Sequence, residues 1–146
     1  VITIAINDLN EAPTALNLSG NSIAENSAIN SVIGTFSSTD EDAGDTHTYT
    51  LTDTASYPDN AAFKIVGNAL QLNAVPDYET RSSYDIKVKT TDAGGLDFDQ
   101  VFTITITDEN EGPTFTSTAI TTVNEDALYT YTITEEDYQN AVPFDG

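Results

Sequence analysis

Oxygen-bearing side chains are grouped along this sequence in a pattern that suits a hard cation. Asp8, Asn10 and Glu11 return one hundred positions later as Asp108, Asn110 and Glu111. They sit in two matching phrases, Asn7-Asp8-Leu9-Asn10-Glu11-Ala12-Pro13-Thr14 and Thr107-Asp108-Glu109-Asn110-Glu111-Gly112-Pro113-Thr114, each closed by a stiff proline. Further acids gather at the ends of apolar stretches. They are Glu25, then Asp40, Asp42 and Asp45 within residues 39–45, then Asp77 and Glu79 in Pro76-Asp77-Tyr78-Glu79-Thr80, then Asp92 ahead of Ala93-Gly94-Gly95. Calcium takes about six to eight oxygens at roughly 2.3–2.6 Å. No single loop here offers that many, whereas loops at one end of a domain, a linker and a following domain do so together. Carboxylates crowded in this way disfavour one another's charge until a cation lies between them.

Other chemistries fit less well. The linker acids also read as turn formers before proline, Glu25 as a solvated strand end, and Asp77 with Glu79 as a polar turn. Asp40, Asp42 and Asp45 resemble the opening of an EF-hand loop, but the twelfth position from Asp40 is Leu51 rather than Glu, and helical periodicity is lacking. Paired carboxylates serve glycosidases as acid and base, yet no nucleophile motif and no Gly-rich phosphate loop accompanies them, and the lone His47 lies on an expected strand. The chain is therefore read as a non-enzyme. A carbohydrate-binding accessory module of a polysaccharide-acting protein is the alternative. Its aromatic platforms would be Tyr57 and Tyr78, and the absence of Trp counts against it. A passive spacer without ions is the plainest reading.

Composition narrows the class. The 146 residues carry 24 acids against four Lys and Arg, a net charge of −20. Such a surface repels the phosphates of nucleic acids and anionic membranes and attracts cations. Cysteine is absent, so disulfides and thiol chemistry are excluded. Small extracellular domains are often disulfide-stapled, and a Cys-free, Thr/Asn/Asp-rich chain points instead to a bacterial surface or secreted protein. No apolar run reaches the length of a membrane span, so no membrane insertion is expected.

The elements that must position these acids are strands. Nearly every periodic segment alternates with period two. The alternation predicts strands over 1–6, 31–36, 47–51, 63–66, 69–72, 84–89 and 100–107, with a two-residue turn at Gly67-Asn68 and another turn at 92–95. Six or seven short strands in about 100 residues mark an all-β, seven-stranded, immunoglobulin-like Greek-key sandwich. Its expected core is Ile23, Val32, Ile33, Phe36, Tyr49, Leu51, Phe63, Ile65, Leu70, Leu72, Tyr84, Ile86, Val88, Phe102, Ile104 and Ile106.

The repeated phrase sets the expected organisation. Residues 1–8 read as the last strand of a preceding repeat, 9–114 as one complete repeat with its C-terminal linker, and 115–146 as the incomplete start of the next. Ser22-Ile23-Ala24-Glu25-Asn26 aligns with Thr122-Val123-Asn124-Glu125-Asp126 at the same offset, and Thr39-Asp40-Glu41-Asp42 with Thr134-Glu135-Glu136-Asp137 at a shorter one. The chain reads as a segment of something longer. Its last part offers only two strands, which are marginal alone.

These motifs, in this order and spacing, resemble the cadherin repeat in the variety found in bacterial surface proteins. The linker here is one residue shorter than that family's usual Asp-x-Asn-Asp-Asn-x-Pro, with Glu in place of the second Asp. The resemblance implies Ca²⁺ at each junction between repeats. It implies that Glu25, Asp77, Glu79, Asp108, Asn110 and Glu111 form the lower cup of one junction, with Glu135 and Asp137 from the following repeat. It places Asp40, Asp42 and Asp92 at the other junction, facing Asp8, Asn10 and Glu11. The implied function is a calcium-stiffened, extracellular extender or adhesion module. Its implied partners are adjacent repeats of the same chain and homophilic or cell-surface protein and glycan contacts.

Overall fold

The computed structural model describes Ile2 and residues 9–112. The chain divides between Asp108 and Glu109, and the architecture below is that of the first unit. Apart from Ile2, the expected strand at 1–6 lies outside the described residues, as do the two strands expected in 115–146 and Asp8, Glu135 and Asp137.

Two four-stranded sheets face each other. One has the order β1 (Ala15–Leu18), β3 (Val32–Thr39), β6 (Ala69–Leu72), β5 (Phe63–Val66). The other has the order β2 (Ser22–Ala24), β8 (Asp97–Thr107), β7 (Ser83–Thr91), β4 (Thr48–Leu51). A 3₁₀ turn at Pro58–Ala62 leads into β5. All pairings are antiparallel except β2 with β8, which is parallel. β1 and β2 are halves of one pass, divided by Ser19-Gly20-Asn21, so eight segments make the seven passes expected of the sandwich.

The division has a steric cause. Where the first pass changes sheets it crosses β3 at close range. A Cβ on Gly34 would lie 2.4 Å from the Gly20 carbonyl oxygen, and one on Gly20 would lie 2.8 Å from the Ile33 carbonyl oxygen. Only glycine permits backbones to approach this closely. Ser19 fastens the crossing: its N–H donates to the Thr35 carbonyl at 3.0 Å, and its hydroxyl accepts the Thr35 N–H at 2.8 Å.

Alternating apolar residues fill the space between the sheets. Leu16, Phe36, Leu70, Leu72, Ile86, Val88, Ile104 and Ile106 are almost wholly buried. Phe36 stacks on Tyr49 with centroids 5.5 Å apart and meets Phe102 at 5.7 Å. Phe63 meets Tyr84 edge-on at 5.5 Å. The Arg81 guanidinium lies over the Tyr84 ring, 4.5 Å from its centroid, and is bound in a fork to Asp59.

Two core positions differ from the sequence expectation. Val32 is 55% exposed, and Leu16 is buried at 1%. The pairing explains Val32. It stands opposite Gln71, while Gly34 stands opposite Leu70, so Ile33 is an extra residue in the ladder. A bulge of this kind turns the strand by one face: Val32 joins Gln71 outside, Ile33 enters the core, and Phe36 remains inside. Leu16 is drawn in by its pairing opposite Ser38 on β3, a contact that its short segment does not announce. The Phe36→Ala variant is expected to lose about 3–5 kcal/mol of stability, and Val32→Ala to change it by no more than about 0.5 kcal/mol, as read from urea unfolding midpoints.

Candidate metal centres at the two ends of the sandwich

Strand register gathers the acids. Ala24 stands beside Thr107 in the parallel β2–β8 pair, which carries the next residue on each strand, Glu25 and Asp108, to the same end. The Glu25 N–H donates to the Thr107 carbonyl at 3.0 Å, and the Asn26 N–H donates to the Pro76 carbonyl at 2.9 Å. Asn26 makes that turn with φ at 57°, a left-handed conformation that Asn tolerates. The turn ahead of β7 is thereby drawn in. The Tyr78 N–H donates to Glu25 Oε2 at 2.8 Å. Glu25 is buried at 3% exposure. Carboxylate oxygens of Glu25, Glu79 and Asp108 lie within 4.8 Å of one another.

Asp77, two residues before Glu79, shapes this turn. Its carboxylate accepts the Thr80 N–H and the Thr80 hydroxyl, each at 2.9 Å, and its carbonyl accepts the Arg81 N–H at 2.9 Å. The hydrogen bonds from Thr80, backbone first, hold the Asp77 carboxyl below its ordinary range.

The opposite end is built in the same manner. The nine residues of β7 separate the two ends, a span of roughly 30 Å at strand rise. Thr48 pairs with Thr91 and Ala15 with Thr39. These registers bring residues 45–47, 92–96, 40–42 and 10–14 together. Carboxylate oxygens of Asp40, Asp45 and Asp92 lie within 4.8 Å of one another. Asp40 Oδ2 is 2.9 Å from His47 Nε2, and Asp40 Oδ1 accepts the Asp42 N–H at 3.1 Å. The His47 hydrogen bond, then that of Asp42, lowers the Asp40 pKa against burial and the charge of Asp92. Asp92 is 6% exposed. Burial works to raise its pKa, but bonds from Asn10 and from the Leu96, Gly95 and Gly94 N–H groups outweigh it, and the net shift is downward.

Of the residues expected as ligands, Glu25, Glu79 and Asp108 meet at one end, and Asp40 and Asp92 at the other. Asp42 stands slightly apart, its Oδ2 accepting the Glu11 N–H at 2.8 Å. Asn10 donates from Nδ2 to Asp92 Oδ2 at 2.9 Å. Asn110 and Glu111 are exposed residues of the second unit. Asp45 takes the third place beside Asp40 and Asp92. The sequence shows Asp45 in the acidic run but gives no ground for setting it above Asp42, because the choice is made by the β4–β7 register. Of the aromatic residues named for sugar binding, Tyr57 is half-buried and Tyr78 is 37% exposed.

The four basic side chains have partners on sheet faces and turns: Lys64 with Asn30, Arg81 with Asp59, Lys87 with Asp99 at 3.3 Å, and Lys89 with Asp97 at 2.9 Å. The donor sets at the two ends fit a hard cation. They are oxygen-only, and two oxygens bound to one calcium can be no further apart than about 4.6–5.2 Å, twice the bond length. The separations at both ends, within 4.8 Å, fall inside the upper value of about 5.2 Å.

Stability in chelator is expected to depend on pH through Asp77. The Thr80 hydrogen bonds hold its folded pKa below the ordinary aspartate value of 3.8, so its contribution is complete above that value and is lost as pH falls through the folded pKa. Thermal melts should show wild type more stable than Asp77→Asn at neutral pH, with the gap closing as the pH drops below about 3.8.

No family profile and no curated protein matches this sequence significantly. Solved structures do match. Protocadherin gamma B2 extracellular cadherin domains 3–6 align with a TM-score of 0.59 at 18% identity, over 73% of this chain and 28% of that one. The protocadherin gammaB4 extracellular domain aligns at 0.54 and 26% identity, over 75% and 19%. Protocadherin gamma B7 extracellular cadherin domains 1–4 align at 0.53 and 21%, over 67% and 25%. This chain thus spans less than a third of the length of each of these structures. What it shares with them is the fold, a cadherin-like all-β sandwich.

Proposed function

We propose that this chain is a calcium-binding, cadherin-like repeat serving as a calcium-stiffened extender and adhesion module of a large bacterial surface or secreted protein. The observation that carries the reading is the pair of three-carboxylate, oxygen-only groups at the two ends of one sandwich. Six of the acids meet in threes where the chain enters and leaves the domain.

Glu25, Glu79 and Asp108 would hold an ion at the exit, with Asn110, Glu111 and Asp137 adding oxygens from beyond the domain and Asp77 fixing the turn that carries Glu79. Asp40, Asp45 and Asp92 would hold one at the entry, with Asp42 close by and Asp8, Asn10 and Glu11 contributed by the incoming linker. Bound Ca²⁺ would supply positive charge that relieves the crowding and ties each linker to the domain end. A chain of such units resists bending, which suits a protein that must project a binding surface away from a cell. Adjacent repeats of the same chain are then the first partners, and homophilic or cell-surface contacts come second.

Calcium is expected to raise the melting temperature and to give a calorimetric binding heat that chelator abolishes. At free calcium about twenty-fold above the dissociation constant, each site adds roughly 1.8 kcal/mol. Glu79→Ala or Asp108→Ala should remove the exit site's share and leave the metal-free sandwich folded. Asp45→Ala should do the same at the entry, independently. Identical melting in calcium and in chelator would sink the reading.

A further inference from the structure

The segment entering the domain is already fastened to it by contacts among its own residues. Asn10 Nδ2 donates to Asp92 Oδ2 at 2.9 Å, and the next residue's N–H, that of Glu11, donates to Asp42 Oδ2 at 2.8 Å. Asp92 is rigid enough to serve as an anchor: it is 6% exposed, and its Oδ1 accepts the Leu96 N–H at 2.8 Å. Directly beside it lies Gly94. A Cβ placed on Gly94 would come within 2.4 Å of Asn10 Cγ, Nδ2 and Oδ1. The Asn10 side chain therefore fills the space that any side chain at position 94 would take. The turn does not itself demand glycine there. The left-handed residue is Gly95, with φ at 91°, and Gly94 is outside that region.

We infer that Gly94 is a positioning residue for the entry joint, leaving a seat in which Asn10 docks on Asp92, so that residues 10 and 11 are held at the domain end before any cation arrives. The inference rests on reading this end as a calcium site and deepens it. Asp92 accepts the Asn10 amide together with the Leu96, Gly95 and Gly94 N–H groups, which fixes its carboxylate in place under the Asn10 side chain. With Nδ2 turned to Asp92, Oδ1 is the amide atom left to act as a neutral oxygen ligand. A joint ordered beforehand spares the ion part of the entropy cost of collecting its ligands. Gly94 then tunes cation affinity without being a ligand.

Amide hydrogen exchange followed by NMR in chelator tests the seat on the full chain. The Glu11 amide should exchange about fivefold faster in Gly94→Ala and in Asn10→Ala than in wild type, the value of one ordinary hydrogen bond. The Val88 and Ile104 amides should be unchanged in both variants, which reports an intact sandwich. Equal Glu11 exchange in wild type and in both variants would overturn the inference. Should Gly94→Ala also disturb the core amides, the exposed Asn10→Ala variant decides alone. A calcium titration in parallel separates the two ideas. Protected Glu11 in chelator with no calcium heat keeps the seat and removes the ion site, whereas calcium heat with an unprotected Glu11 keeps the ion site and removes the seat.

Discussion

The β7–β8 ladder is the constraint from which the rest follows. Nine residue pairs run from Ser83 opposite Thr105 to Thr91 opposite Asp97. Inward residues of both strands, Ile86, Val88 and Ile104, are fully buried, so a slip by one residue would send each of them into solvent and bring threonines and lysines in. That penalty fixes the register, and the register fixes the ends. β2 docks on β8 and β4 on β7. Each therefore delivers its acidic flank to a set height along the sandwich.

The polar structure at both ends is arranged around carboxylates rather than around cations supplied by the chain. Backbone N–H groups do much of the work: those of Tyr78, Thr80, Asp42, Glu11 and Leu96 each point at an acid. At Asp77, Asp40 and Asp92 such donors favour the charged form and lower the pKa. They also orient the acid, so the loops are shaped by the same groups that would hold an ion. The four basic residues are used differently. They cover sheet faces and turns, as Arg81 does in bridging Asp59 and the Tyr84 ring.

This division of labour gives the two ends and the middle separate duties. The middle supplies stability through apolar burial. The ends carry dense negative charge that burial alone does not favour, and their geometry makes sense as a place for something positive. Each three-carboxylate group lies where the chain enters or leaves the sandwich.

Much of this was legible in the residues in order. Period-two alternation with β-branched and aromatic residues marked β3 to β8, because one face of each must leave water, but it did not mark the short β1 and β2. The returning Asp-x-Asn-Glu phrase marked the segments where acids matter. The sequence also named Glu25, Glu79, Asp108, Asp40 and Asp92, since acids at strand ends have nowhere to go but the poles. Three things were decided only by the folded chain. The Ile33 bulge turned Val32 outward, because an extra residue in a ladder is visible only once its partner strand is paired. The β4–β7 register set Asp45, rather than its neighbour Asp42, beside Asp40 and Asp92. And the seat that Gly94 leaves for Asn10 joins residues 84 positions apart in the chain, a proximity created by long-range packing that no local pattern encodes.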